Sequence, residues 1–335
     1  MILMALAAAA GQPATLQNYK DWIVGCDNVR VCQANALEPE VADEDWLRLT
    51  VNRGALPNDV ATLSVPLPDK VAVGARFTLK VDGAAATTFT ARTPGEATIP
   101  LTGALVGALG NGRRIALFDS SGGKHEEASL AGLAAALRYM DDQQKRVGTV
   151  GALKATGPKP NAAVPAAPAA PSIAVPPPSS KPPRTISVAK ATELIGSDNA
   201  TCDYATGKVE PRAIRLDATH SMALVDHPCG NGAYNFFTSI YVLDESGPAR
   251  PARFDFPPGM GESSADGTGE LTNGDWDPKS NRLSSYEKGR GLGDCGTTES
   301  FAWDGTRFRL VEQTAMGECR GSADYIRVWT ARTTR

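Results

Sequence analysis

Between Pro158 and Pro183 the chain reads PKPNAAVPAAPAAPSIAVPPPSSKPP, which holds ten of its 24 prolines and almost no large apolar side chain. Proline locks φ and removes a backbone donor, so this stretch builds neither a helix interior nor a central strand, and it is too poor in apolar surface to form a core of its own. It divides the chain in two. Proline alternating with alanine favours polyproline II, a semi-rigid spacer whose fully extended reach is about 80 Å at ~3.1 Å per residue. A linker reading outweighs a P-x-x-P recognition ligand. At 335 residues the chain is long enough for two bodies that each bury a core. We therefore expect an N-terminal β-rich domain over 17–156, a Pro/Ala-rich linker over 157–184 and a C-terminal antiparallel β domain over 185–335.

The start, MILMALAAAAGQPA, passes from apolar to small residues and reads as a signal-like segment over 1–14, although the positive n-region is missing. No later run reaches the roughly 18 apolar residues of a membrane span, so no span is expected. With 34 basic and 37 acidic residues interspersed, the net charge is −3. That balance lacks the basic stripe that phosphate neutralisation requires, so nucleic acid is excluded as a partner.

Export also frames the cysteines Cys26, Cys32, Cys202, Cys229, Cys295 and Cys319. They form an even set with no C-x-x-C pair, which in an oxidising compartment reads as disulfides. If the halves are separate, Cys26 pairs with Cys32. The other four allow three connectivities, of which Cys202–Cys229 and Cys295–Cys319 join neighbours along the chain.

In the first half, NYKDWIVGCDNVRVCQANAL predicts a hairpin turning at Asp27-Asn28 with the two cysteines flanking the turn. WLRLTVNR and VATLSVPL alternate as strands, and FTLKVDG ends in an Asp-Gly turn signal. SLAGLAAALRYMDDQQKR then sets Leu130, Leu133, Leu137 and Met140 on one helix face, with Ser129 as N-cap. PLTGALVGALGNG reads as a shorter helix halted at Gly110.

The second half opens with a short helix, SVAKATELIG, capped by Ser187 and Gly196. RAIRLD, SMALVD, TSIYVLD, ARFDF and YIRVWTAR follow as strands of an antiparallel meander or sandwich. WDPKSNRLSSY and WDGTRFRLVEQ repeat a Trp-Asp turn followed by a leucine strand at an offset of 27 residues, and look like successive hairpins. Two copies are too few for a propeller. The fold class expected is mainly β with a few short helices (α+β): an antiparallel sheet or sandwich with a packed helix, then an antiparallel meander or sandwich.

The W-x-V-x-C hairpin, LSVPLPDKVAVGARFTLKVDG and the closing Leu/Ala helix make the first half similar to the invasion-associated locus B family of exported proteobacterial proteins. GAYNFF, WDP, KGRGLGDCG, WDG-x-x-F-x-L and ECRG, in that order, make the whole chain after residue 17 resemble an exported proteobacterial family known as a domain of unknown function. The resemblance implies a periplasmic or secreted, cell-envelope address and carries over no catalytic residues.

GLGDCG, from Gly291 to Gly296, matches G-x-G-x-x-G, but the following TTESFAWDGTRFRL heads into a hairpin. Without a helix N-terminus there is no pyrophosphate cradle, and no cofactor is expected. Cys295 as a nucleophile would need a base, and His125, His220 and His227 all lie elsewhere in sequence. DATHSMALVDHPCG gathers Asp217, His220, Ser221, Asp226 and His227, but an odd separation along a strand points His220 and His227 to opposite faces. SSADGTGELTNGDWD offers Asp266, Glu270, Asp275 and Asp277 as weak calcium candidates without the spacing of a calcium loop, so no metal is assigned. Around the last cysteine pair, Tyr286, Lys288, Arg290, Asp294, Glu318 and Arg320 form the candidate binding rim.

These readings converge on an exported envelope protein that is a non-enzymatic binding module for a protein or a cell-wall component, in a specific version an inhibitor or immunity protein. The competing reading is a periplasmic hydrolase using His220 or His227 with a nearby Asp or Ser.

Overall fold

The computed structural model describes residues 13–39, 46–255 and 269–335, so residues 1–12 of the signal-like segment and Asp266 lie outside the described residues. Among the described residues the fold is mainly β with four short α-helices. In the first half a six-stranded antiparallel sheet runs in the order Gln17–Tyr19, Trp22–Cys26, Cys32–Ala36, Thr50–Arg53, Thr62–Pro66 and Glu96–Pro100. A four-stranded sheet, Lys124–Ser129, Arg114–Asp119, Arg76–Val81 and Ala84–Thr90, packs against it over one core. Helix Gly103–Asn111 and helix Leu133–Gln143 join that core through Leu105, Leu109, Leu133, Leu137 and Met140.

The predicted hairpin forms, with Trp22 opposite Ala36 and Cys26 opposite Cys32. The predicted apolar helix face is also present, since Leu130, Leu133, Leu137 and Met140 are all buried. Its cap differs. Ser129 ends a strand, and the N-cap is Gly132 at φ 99°. A Cβ on Gly132 would stand 1.7 Å from the Tyr19 carbonyl oxygen, so close backbone approach overrides the side-chain cap that the local pattern favoured. The shorter helix runs through Gly110 and ends at Asn111.

In the second half, helix Val188–Ile195 is capped as expected: the Ser187 side chain accepts a hydrogen bond from the Lys190 amide, and Gly196 takes φ 82°. Strands Arg212–Arg215, His220–Asp226, Phe237–Asp244 and Arg250–Pro251 form one sheet, with Glu270–Thr272 also pairing Phe237–Asp244. A second sheet is a five-stranded meander of Asp275–Asp277, Arg282–Lys288, Gly296–Trp303, Phe308–Met316 and Ile326–Thr330. The two sheets enclose a core of Met222, Leu224, Ile240, Phe301, Phe308 and their neighbours, which makes this half a sandwich. The two Trp-Asp segments are successive hairpins of the meander, and each aspartate accepts amide hydrogen bonds from its own turn. Of ARFDF, Phe256 lies outside the described residues; within 252–255 Phe254 bridges Phe308, and strand Arg250–Pro251 precedes it.

Strand Trp22–Cys26 is buried at every residue, as happens when both faces of a strand are covered. Trp22 and Val24 face the first core, whereas Ile23 packs with Leu37, Cys295, Met316 and Ile326 in a separate cluster between the halves. The turn of the hairpin extends the seam: the Asn28 side chain donates to the Thr330 carbonyl (2.9 Å) and accepts from the Thr330 amide (2.7 Å). Asp27 accepts from Arg327 Nε at 2.8 Å.

The proline-rich stretch, expected as an extended spacer, lies against the protein. Ser172–Ala174 pairs in parallel with Arg332–Thr334, and Ile173 is buried among Ala302, Val311 and Ala331. Ser172, Ile173 and Ala174 lie between Pro171 and Pro176 and are free of proline, which permits the strand pairing.

Candidate functional site

The GLGDCG glycines serve a turn. Gly293 takes φ 69°, Gly296 takes φ 138°, and a Cβ on Gly296 would stand 2.0 Å from the Glu287 carbonyl oxygen. Cys295 is joined to Cys319, as Cys26 is to Cys32 and Cys202 to Cys229. The residues crowded by this staple have partners within the protein. Arg290 forms a two-point contact with Asp294 (Nε to Oδ1, 2.6 Å), and the Gly321 amide donates to Asp294 Oδ2 at 2.7 Å. The Arg290 hydrogen bond holds the Asp294 carboxyl below the usual range against the opposing effect of burial.

Arg320 crosses the seam between the halves, donating to the carbonyls of Glu38 (2.7 Å) and Lys20 (2.9 Å) and to Asp21 Oδ1 (2.8 Å). Glu318 accepts from Asn18. The Tyr286 and Tyr325 hydroxyls both donate to the Gly293 carbonyl at 3.1 Å. Burial, reinforced by Tyr286, pushes the Tyr325 phenol well above its ordinary value. Lys288 Nζ stands 5.3 Å over the Tyr286 ring. The structure thus brings all six rim residues together, chiefly as ties within the loop and across the seam.

The histidines fall into three environments. His125 pairs with Asp119 at 3.2 Å on the surface of the first half. His220 Nδ1 lies 2.9 Å from Asp217 Oδ2, an oxygen that also accepts the Trp303 indole N–H at 2.7 Å. Burial opposes the Asp217 charge, but hydrogen bonds from the Thr219 amide, Trp303 and His220 prevail and hold its pKa at about 2. His227 lies beyond the far end of the same strand. Its Nε2 is 2.8 Å from Ser239 Oγ and its Nδ1 is 3.9 Å from Glu270 Oε2. Burial lowers the His227 pKa and raises that of Glu270, which favours a neutral imidazole beside the serine. Sequence reasoning named His227 without Ser239; the pairing of Ser239 with Glu270 across two strands is what assembles the group.

Sequence reasoning also missed a cleft of about 170 Å³ on the C-terminal sandwich. Trp276 and Trp303, the two repeated Trp-Asp tryptophans, line it together with Arg282, Pro176, Pro178 and Thr333. The proline-rich stretch supplies one wall because the pairing of Ser172–Ala174 with Arg332–Thr334 brings it there. Arg282 Nη2 donates to Thr333 Oγ1 at 3.0 Å, whereas Arg282 Nη1 is buried with no hydrogen-bond partner among the described residues. Burial depresses the guanidinium pKa and the Glu312 carboxylate partly offsets that. The guanidinium charge at the cleft wall favours an anionic occupant such as a carboxylate or phosphate. The Trp-Asp repeat was the sequence signal for this cleft.

The remaining calcium candidates do not converge. Glu270 sits beside His227, Asp275 pairs with Arg212 at 2.9 Å, and Asp277 caps its own turn. Among the described residues no group of three or more His, Cys, Asp or Glu side chains is arranged to hold a metal ion. Nor is any helix among them long and apolar enough to cross a membrane.

Comparison with known proteins places the chain in company. It is 30% identical over 320 residues to the uncharacterized protein YpfG of Escherichia coli (strain K12), covering 90% of this chain and 88% of YpfG. It is also similar to the crystal structure of invasion associated protein B from Bartonella henselae, at 20% identity and a TM-score of 0.32, over 39% of this chain and 99% of that one. Residues 16–333 match the family described as protein of unknown function (DUF1176), and the chain belongs to that family.

Proposed function

We propose that the chain is an exported, non-enzymatic binding module of the cell envelope, and that the cleft between Trp276, Trp303 and Arg282 takes an acidic saccharide unit of the cell wall. The observation that carries this reading is the Arg282 guanidinium, a positive charge lining a cleft whose walls include Trp276 and Trp303. Tryptophan rings stack on the apolar faces of sugars, and a guanidinium fixes a carboxylate at one edge. Three disulfides fit an oxidising compartment, in support of a periplasmic or secreted address. In this reading 17–156 and 185–335 are two domains, 157–184 connects them and walls the cleft, and 1–14 directs export. No cofactor or metal takes part.

Tryptophan fluorescence of the full chain, titrated with a muramic-acid-containing disaccharide and with its carboxyl-reduced counterpart, tests the proposal. The acidic sugar should bind at least tenfold more tightly than the reduced one, and Trp276→Ala and Arg282→Ala should each abolish the difference. Equal binding of the two sugars, or none, overturns it.

A second reading, a hydrolase, is favoured by one observation, the hydrogen bond between Ser239 and a His227 that burial keeps neutral. A fluorophosphonate probe that labels wild-type protein but neither Ser239→Ala nor His227→Ala would establish it. Failure to label the wild type removes it.

A further inference from the structure

The two sheets of the first half close on each other along one side only. There the Leu47 amide donates to the Glu127 carbonyl at 3.0 Å and Trp46 bridges Glu127, joining the edge strand Lys124–Ser129 to the six-stranded sheet. On the other side the edge strands are Ala84–Thr90 and Glu96–Pro100, which follow one another in sequence yet do not pair. The connection between them is tied elsewhere, with the Ala91 amide on the Ala75 carbonyl and the Leu67 amide on the Gly95 carbonyl, so the strands splay. A cleft of about 810 Å³ separates them and is lined by both strands, with Leu105 of helix Gly103–Asn111 at its floor. Helix Gly103–Asn111 packs against Ala84–Thr90 at the base of this gap, and the two strand edges above it stay unpaired.

Native proteins protect sheet edges with charge, proline or brevity. Three other edge strands carry charge along them: KHEEAS over Lys124–Ser129, RAIR over Arg212–Arg215 and DWD over Asp275–Asp277, whereas Glu96–Pro100 has its charge and proline only at its two ends. Ala84–Thr90 reads AAATTFT, seven residues with neither charge nor proline, and its one irregularity is a bulge at Ala86. The cleft walls are correspondingly neutral. Thr87, Thr90, Thr98 and Thr102 contribute hydroxyls, and the charges of Arg92 and Glu96 stand at one end with opposite sign.

We propose that this cleft is a strand-addition site: an extended, uncharged segment of a partner protein enters it and hydrogen-bonds through its backbone to Ala84–Thr90 and Glu96–Pro100, bridging the two edges. Backbone pairing supplies the affinity in this recognition mode, and the neutral walls select against charged side chains. Two edges facing one gap suit a single inserted strand, because pairing with a second copy of the chain would use one edge and leave the other open. The site is independent of the tryptophan cleft and of the reading built on it.

The probe is an acetylated decapeptide of alternating threonine and valine with a two-lysine tail, added to the full chain and followed by amide hydrogen exchange. Bound peptide should slow exchange at least tenfold at amides in 84–90 and 96–100 and leave 282–288 unchanged. The same peptide N-methylated at alternate residues should give no protection, and Thr88→Lys, which introduces the missing edge charge, should weaken binding at least tenfold with unchanged thermal unfolding. Equal protection by the N-methylated peptide would show side-chain rather than backbone recognition and overturn the proposal. No protection by the unmodified peptide overturns it too, as does a concentration-dependent dimer whose 84–90 amides are protected without peptide.

Discussion

Arg320 and Asp21 stand 299 residues apart in sequence, and the Arg320 guanidinium places Nη2 at 2.8 Å from Asp21 Oδ1 while its Nε and Nη1 hold the carbonyls of Glu38 and Lys20. One planar side chain therefore satisfies three acceptors on the first half from a loop stapled by Cys295–Cys319 in the second. Arg320→Ala should lower stability by about 2 kcal/mol, from the loss of charged hydrogen bonds at a half-buried site. Guanidinium unfolding would show the drop as a lower midpoint, and Arg320→Lys should restore little, since an ammonium cannot reproduce the fork.

Asp141, fully buried at the end of helix Leu133–Gln143, accepts from the amides of Leu153 (2.7 Å), Lys154 (2.7 Å) and Ala155 (2.9 Å). Arg53 Nη1 lies 3.6 Å away. Asp141→Ala would strand these donors and an arginine in the interior, at a cost of about 3 to 5 kcal/mol. Thermal unfolding by circular dichroism should report the loss, accompanied by faster amide exchange across 153–155.

Gly132 combines φ 99° with a Cβ position 1.7 Å from the Tyr19 carbonyl oxygen. Gly132→Ala must push that backbone aside, so we expect a loss larger than about 3 kcal/mol. A soluble, fully stable Ala variant would contradict the described approach of the helix to the first hairpin.

Asp217 has its pKa held at about 2 in the folded protein, below its value of about 3.9 in an unfolded chain. The unfolded state therefore binds the extra proton in acid, and the contribution, on the order of 2 kcal/mol, is present above the unfolded pKa and lost as the pH falls from about 5 to 2. Asp217→Asn should flatten the acid limb of a plot of unfolding free energy against pH. An unchanged limb would remove Asp217 from its cause.

Much of the local structure was legible from residue order. The hairpin around Asp27-Asn28, the Leu/Met helix face, the Ser187 to Gly196 caps and the Trp-Asp hairpins all rest on periodicity or turn chemistry acting within a few residues. The candidate sites were less legible. His227 stood out as a residue type, but its partner Ser239 lies a strand away, and the Trp276–Trp303 cleft required a proline segment a hundred residues upstream to fold back as its wall.

By itself the sequence determined the β-rich class and the short helices, because alternation and capping are local properties. Of the three connectivities it left open for the last four cysteines, the fold selected Cys202–Cys229 and Cys295–Cys319. The tertiary structure alone decided that Ile23 faces a second body while Trp22 faces the first, that Gly132 rather than Ser129 caps a helix, and that the proline stretch docks through Ser172–Ala174. The same holds for the open edge at Ala84–Thr90. Each of these depends on which distant surface meets which, and a burial pattern states only that a face must be covered, never by what.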